Sequence, residues 1–306
     1  MVMYIPLPET DNADWPLEAP FARPLPPLPD WGHASPRHGM VYLVGAGPGD
    51  PELITLKALR CLRAADTVVY DRLISPALLD EVPAHAERIF AGKSPRHHTL
   101  TQGQINALLI ERSMQGRVVV RLKGGDPFIF GRGGEEAAAL AAHGIPFEVV
   151  PGISSAIAVP AYAGIPVTHR GHASALTVVT GHDDAASGGP GVDWAALAAL
   201  GGTLVVMMGV AALPRIAREL LDGGLDPRTP AAVIQQGTVP GQRVVTGTVA
   251  TIASRAIEAG LQSPAITVIG AVAGLRETLA WFEKTPSFAA ARFPGGIPAR
   301  AVAEYA

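Results

Sequence analysis

Apolar residues recur along this chain in two rhythms. Short β-branched runs at 41–44, 67–70, 117–122 and 147–150 each read as a buried strand. Between them, 52–64, 105–114 and 135–143 read as helices, the first with Leu53, Leu56, Leu59 and Leu62 along one side. This series closes at Pro151-Gly152. A second then begins, with strands expected at 176–180, 204–208, 232–234 and 266–269, helices at 194–200, 213–221, 249–259 and 275–282, and a hairpin strand at 243–248. Strands alternating with helices mean α/β layering. The break makes it happen twice, as two α/β domains over 39–152 and 153–284.

The ends of the chain have no such rhythm. Residues 1–38 hold nine prolines with Trp15 and Trp31, and read as an extended arm without a core of its own, either a disordered tail or a strap across a partner subunit. A mixed tail follows at 285–306. With 306 residues, 48% hydrophobic and 17% charged, the chain has material for one or two cores, and general disorder is excluded. A net charge of -3 gives no overall pull toward nucleic acid. Cys61, the single cysteine, forms no internal disulfide or cysteine metal cage and reads as a small apolar filler in a helix. No apolar run approaches the roughly 20 residues that span a bilayer, and no basic segment precedes an apolar one at the amino terminus. A soluble cytoplasmic protein with no metal, no nucleic acid and no membrane partner is expected.

Candidate chemistry concentrates at 122–136, Leu-Lys-Gly-Gly-Asp-Pro-Phe-Ile-Phe-Gly-Arg-Gly-Gly-Glu-Glu, where five glycines interleave with five charges. A glycine-dense turn between a strand's carboxyl end and a helix start is where open α/β sheets place ligands. The first strand likewise runs into Gly45-Ala46-Gly47-Pro48-Gly49-Asp50, with Asp50 as a natural N-cap, Pro51 at the first helical position and Glu52 complementing the dipole. Alone, that turn is similar to a dinucleotide fingerprint with Asp66 or Asp71 as the ribose acid. Pro48 and the Asp50-Pro51 cap, however, postpone the helix that a dehydrogenase would start at its third glycine.

The ordered set Gly45 to Asp50, Tyr70-Asp71, Gly92-Lys93, the 122–136 loop, Pro151-Gly152-Ile153-Ser154-Ser155, Gly164-Ile165-Pro166-Val167-Thr168-His169-Arg170 and Gln236-Gly237-Thr238 resembles the uroporphyrinogen-III C-methyltransferases, over about 39–283. The resemblance implies two α/β domains of the tetrapyrrole methylase type (class III methyltransferase), S-adenosyl-L-methionine in the cleft between them, and a homodimer. It implies that Pro48, Gly124, Gly125, Asp126, Ile129, Ser154, Ser155, Met208 and Gly237 contact the cofactor, with Ser154-Ser155 standing where Thr-Ala is frequent. It also implies Asp71 as proton acceptor and Lys93 as proton donor, with Glu135 and Arg132 as rivals.

The cofactor needs close backbone donors, an acceptor and flat apolar walls, for which Gly124, Gly125, Asp126, Ile129 and Met208 are suited. Asp126 is equally suited to capping the turn before Pro127. An acceptor with eight carboxylates needs forked cations, so Arg132 and Arg170 are assigned to it, with an ion pair from Arg132 to Glu135 or Glu136 as the other reading. Asp71 beside Arg72 reads equally as a structural ion pair. Lys93, Arg96, His97 and His98 form a second basic rim or a solvated loop. The implied reaction is methylation of uroporphyrinogen III at C2 and C7, giving precorrin-2 through precorrin-1 with release of S-adenosyl-L-homocysteine. The alternatives are a later precorrin methyltransferase, a nicotinamide-binding oxidoreductase, and a non-catalytic sensor of tetrapyrrole or cofactor.

Overall fold

The strand β1 (Val41–Gly45) lies at the heart of a five-stranded parallel sheet with β2 (Thr67–Tyr70), β3 (Glu87–Phe90), β4 (Val119–Lys123) and β5 (Phe147–Val150), in the order β3-β2-β4-β1-β5. The computed structural model describes residues 39–92, 100–182 and 191–284. The expected arm and tail, together with Lys93, Arg96, His97 and His98, lie outside the described residues.

Both faces of this sheet are covered, as parallel strands require. On one face Tyr42, Val44, Val68, Val120 and Leu122 pack on α1 (Leu56–Arg63) through Ala58, Cys61 and Leu62. On the other, Val41, Leu43, Val69 and Val119 pack on α2 (Gln102–Met114) and α3 (Gly133–Ala142) through Ile105, Leu109, Ala137 and Leu140. Each fully buried leucine contributes about 1.5–3 kcal/mol relative to exposure. The neighbours β1 and β4 therefore send their chains to opposite faces, the topology at which open α/β sheets form a ligand crevice beyond the strands' carboxyl ends.

The second sheet has the order β6-β7-β10-β8-β9, from β6 (Leu176–Thr180), β7 (Thr203–Met207), β8 (Pro230–Gln235), β9 (Arg243–Thr248) and β10 (Ala265–Ile269). β6 and β7 are parallel, and the other pairings are antiparallel, including the expected hairpin of β8 with β9. One face carries α5 (Trp194–Leu200), α6 (Leu213–Asp222) and α7 (Ile252–Glu258), and the other carries α4 (Ser155–Tyr162). Because β10 runs backward between β7 and β8, the strands β6, β7 and β8 all end at one edge.

Several boundaries differ from expectation. The helix expected over 52–64 is divided: Asp50 accepts from the Glu52 N–H and caps a single 3-10 turn, Pro51–Leu53. Ile54 is extended, and α1 starts afresh after Thr55, whose hydroxyl accepts from the Ala58 N–H. Leu56 is consequently exposed, and the buried stripe is Ala58, Cys61 and Leu62. The helix expected over 249–259 spans only Ile252–Glu258, and that over 275–282 is the 3-10 turn Ala271–Leu275 followed by α8 (Arg276–Leu279). The strand β3 and the helix α4 went unread. β3 is an edge strand of partly exposed residues with two charges, and α4 carries Pro160.

Candidate active site

The loop after β4 is fastened to the loop after β1 by backbone alone. Ala46 N–H donates to Lys123 O (2.7 Å), and Gly47 and Gly125 exchange bonds, Gly125 N–H to Gly47 O (2.7 Å) and Gly47 N–H to Gly125 O (3.2 Å). Gly125 has φ +67, a left-handed conformation that a side chain would strain. A Cβ on Gly45 would stand 2.6 Å from both the Gly125 carbonyl oxygen and the Gly152 Cα, so three loops meet without side chains between them. Asp126 completes the fastening: Oδ1 accepts from Phe128 N–H (2.8 Å) and Oδ2 from Gly152 N–H (3.1 Å). Its carboxyl thus does the turn-capping work, with remaining lone pairs open. Ser154, the N-cap of α4, accepts from the Ala156 N–H, and the start of α4 abuts Gly125. Gly124, Gly125, Asp126, Ser154 and Ser155 are therefore brought together at the crevice.

The opposite wall comes from the second half. Gly49, next to Pro48, is so close to the turn after β8 that a Cβ would meet Thr238 Oγ1 at 2.8 Å. Asp50 N–H donates to that hydroxyl (3.1 Å), and Asp50 Oδ2 accepts from Tyr162 Oη (2.9 Å). Gln242 accepts from the Thr238 N–H (3.0 Å) and donates to Tyr162 O (3.3 Å). Gly237 packs on Val159 of α4. Met208, one residue past β7, lies on the same sheet edge as Gly237. It is 52% exposed, and Ile129 is 43% exposed. Met208, Gln236, Thr238, Phe130 and Arg132 all have φ between +48 and +71, an unfavourable conformation concentrated in the loops of this region.

Beneath the β4 loop, charges replace the apolar face. Arg121 and Lys123 point toward α2 and α3, and both are buried. Arg121 donates to Asp71 Oδ1 (2.6 Å) and to Glu136 Oε1 (2.9 Å); Lys123 Nζ lies 3.1 Å from Glu136 Oε1 and 3.7 Å from Asp71 Oδ2. Burial pulls the Arg121 guanidinium down, but Asp71 and Glu136 outweigh it and hold the group above its ordinary range. Lys123 ends below its ordinary range because burial, reinforced by Arg121, outweighs Glu136 and Asp71. Asp71 is thus ion-paired, but with Arg121 and Lys123; the expected pairing with Arg72 is corrected. The pairing of Arg121 and Lys123 with Glu136 is not among the sequence expectations, although two cations two residues apart in a buried strand share one face and demand a partner.

Arg132 sits outside α3 on left-handed backbone and forks onto Glu135, Nε to Oε1 at 2.8 Å and Nη2 to Oε2 at 2.7 Å. That hydrogen bond lowers the Glu135 carboxyl and raises the Arg132 guanidinium from their usual values. Of the two readings, the ion pair is what the structure contains, and both side chains are more than half exposed. Arg170 lies in the 168–174 turn ahead of β6, a strand that begins at the sheet edge opposite Met208 and Gly237, and lines a hollow with Thr168, His169 and His172.

Residues 40–253 match the model of the tetrapyrrole (corrin/porphyrin) methylases. An S-adenosyl-L-methionine-dependent uroporphyrinogen III methyltransferase of Methanosarcina barkeri is 56% identical over 245 residues, 80% of this chain and 96% of that protein. A siroheme synthase of Nitrosomonas eutropha is 52% identical over 252 residues, 82% of this chain but 52% of that protein, so the chain spans about half the length of this longer relative. The crystal structure of uroporphyrin-III C-methyl transferase from Thermus thermophilus complexed with S-adenyl homocysteine superposes with a TM-score of 0.66 at 42% identity, covering 77% of this chain and 99% of that one.

Proposed function

The chain belongs to the tetrapyrrole methylase family, and from that premise we propose that it methylates uroporphyrinogen III at C2 and C7 with S-adenosyl-L-methionine, giving precorrin-2 by way of precorrin-1. One observation carries the reading: the Gly124-Gly125-Asp126 loop, the start of α4 and the turn at Gly237 converge on one crevice, in a chain of which 80% aligns at 56% identity with a methyltransferase of that name.

The residues present fit the donor. Close backbone at Gly124 and Gly125 leaves peptide groups open to its polar end, the first-turn N–H groups of Ser154 and Ser155 suit a carboxylate, and exposed Ile129 and Met208 are apolar walls beside Pro48 and Gly237. Asp126 acts chiefly by shaping the loop. When bound, S-adenosyl-L-methionine supplies a sulfonium methyl that is electrophilic as it stands, leaving S-adenosyl-L-homocysteine. The chain's own part is alignment and the acceptance of one proton. Methylation makes a pyrrole β-carbon quaternary, so the positive charge gained by the ring is discharged by loss of a proton from the neighbouring meso carbon. Asp71, partly exposed at the end of β2, accepts that proton. Lys93 is the proposed donor, and the residue before it, Gly92, lies against the Arg72 backbone beside Asp71. Arg132 offers its fork to a substrate carboxylate in exchange for Glu135. Arg170 is read as the second cation for the substrate's carboxylates.

We read 39–152 and 153–284 as the two domains, flanked by the arm 1–38 and the tail 285–306, and the enzyme as a cytoplasmic homodimer. Among the described residues no helix is long and apolar enough to cross a membrane. Light scattering on the purified chain tests the dimer. For the reaction, protein incubated with both substrates under reducing conditions is expected to yield products one and two methyl groups heavier; their absence would reject the reading. Methylation of precorrin-2 in their place would favour the later precorrin reaction.

A further inference from the structure

Asp71 stands just past the end of β2, where its N–H donates to Leu122 O (3.3 Å), and among the described residues no backbone group bonds its carboxyl. What fixes it is a chain of charges reaching into the protein. Arg121 grips Asp71 Oδ1 with one end of its guanidinium and Glu136 Oε1 with the other, and Lys123 bridges the same two carboxyls more loosely. Glu136 Oε1 takes a third donor, Gln102 Nε2 of α2 (3.2 Å), while its Oε2 has no hydrogen-bond partner among the described residues. Exposure is graded along this chain: the Glu136 side chain is 0% exposed, Arg121 2% and Asp71 29%, so Asp71 is the member that faces solvent.

Such a cluster is poorly explained by stability. A buried carboxylate with one oxygen unpartnered is costly, and apolar residues of similar volume commonly do as well or better in place of buried ion pairs. Its neighbours Ala137 and Leu140 on α3 are of that apolar kind. Nor do Arg121 and Lys123 stay side by side without an anion between them. We propose that Glu136 is a positioning residue: through Arg121 and Lys123 it holds the Asp71 carboxyl in the attitude from which it accepts the meso proton. The inference rests on the reading of Asp71 as the base. With Glu136 neutralised, the surplus positive charge falls on Asp71, which both cations then grip harder, making it a poorer acceptor.

A double-mutant cycle of Glu136→Gln with Asp71→Asn tests this, with single-turnover methylation followed by mass, S-adenosyl-L-homocysteine affinity by calorimetry, and thermal unfolding. Glu136→Gln is expected to lower the rate at least about tenfold with KM for both substrates and product affinity within about threefold. In the Asp71→Asn background the same change should cost less than about twofold. An undiminished rate in Glu136→Gln, or an equal loss in both backgrounds, overturns the inference while leaving Asp71 as the base. An Asp71→Asn variant with an undiminished rate overturns the reading of the base, and this inference with it. Should Glu136→Gln not fold, Glu136→Asp takes its place: it keeps the charge but draws the carboxylate back from Arg121 and Lys123, and a rate loss confined to the Asp71 background supports the inference, while an undiminished rate overturns it.

Discussion

Single atoms decide much at this site. The approach of Gly45, Gly125 and Gly152 leaves no space for a methyl group, and the obstructing atoms are backbone, which cannot swing aside. Gly45→Ala is therefore expected to cost about 1–3 kcal/mol of stability and to weaken S-adenosyl-L-homocysteine binding, read by urea denaturation and calorimetry; an unchanged midpoint would contradict the packing described. Cys61 illustrates the opposite case, a reactive group made inert. Burial first, and the nearby Glu148 charge second, push its thiol up to about 12. Thiol reagents at neutral pH should label it only as fast as the chain unfolds, and rapid labelling of native protein would show α1 to be loosely packed.

At the scale of elements, Glu87 ties the edge strand β3 to its surroundings. It accepts from Arg112 of α2 at 2.8 and 3.0 Å and from Arg117 at 2.6 Å. The Arg112 hydrogen bond, more than any other influence, holds its carboxyl below the ordinary value of 4.5. A folded-state value under the unfolded one means stability that is complete above about pH 4.5 and is lost as pH falls through the depressed value. Because the side chain is about one-third exposed, screening limits the gain to roughly 0.2–1 kcal/mol. Glu87→Gln should accordingly lower the urea midpoint at pH 7 and leave a smaller loss on acidification to about pH 3.5; equal acid sensitivity in the two proteins would refute it. This same strand was illegible in the sequence, since its partly exposed residues have neither an apolar run nor clean alternation, whereas the apolar runs of β1, β8 and β10 announced themselves. The helix α4 was hidden by Pro160 and by small residues. The glycine loops were readable from composition, and the resemblance supplied the cofactor. The partners of Asp71 were not readable, because pairing across 50 residues to Arg121 depends on the strand order, which local pattern does not carry.

At the scale of the molecule, the two sheets meet through buried polar contacts of Asp50, Thr238, Tyr162 and Gln242. Thr238→Val keeps the shape but removes the hydroxyl that accepts from the Asp50 N–H across the two halves. A loss of about 0.5–1.5 kcal/mol is expected, together with weaker binding of S-adenosyl-L-homocysteine because Gly237 is the adjoining residue; a denaturation curve matching wild type would speak against the stitching role. The left-handed backbone at Met208, Gln236 and Thr238 has a wider bearing. Met208 or Gln236 would relax if replaced by glycine, whereas Thr238 would lose the hydroxyl that holds Asp50, so heat resistance is obtainable at two of the turns that shape the crevice. Selection for endurance in a hot habitat and selection for a well-formed pocket would thus pull the same two peptide units in opposite directions.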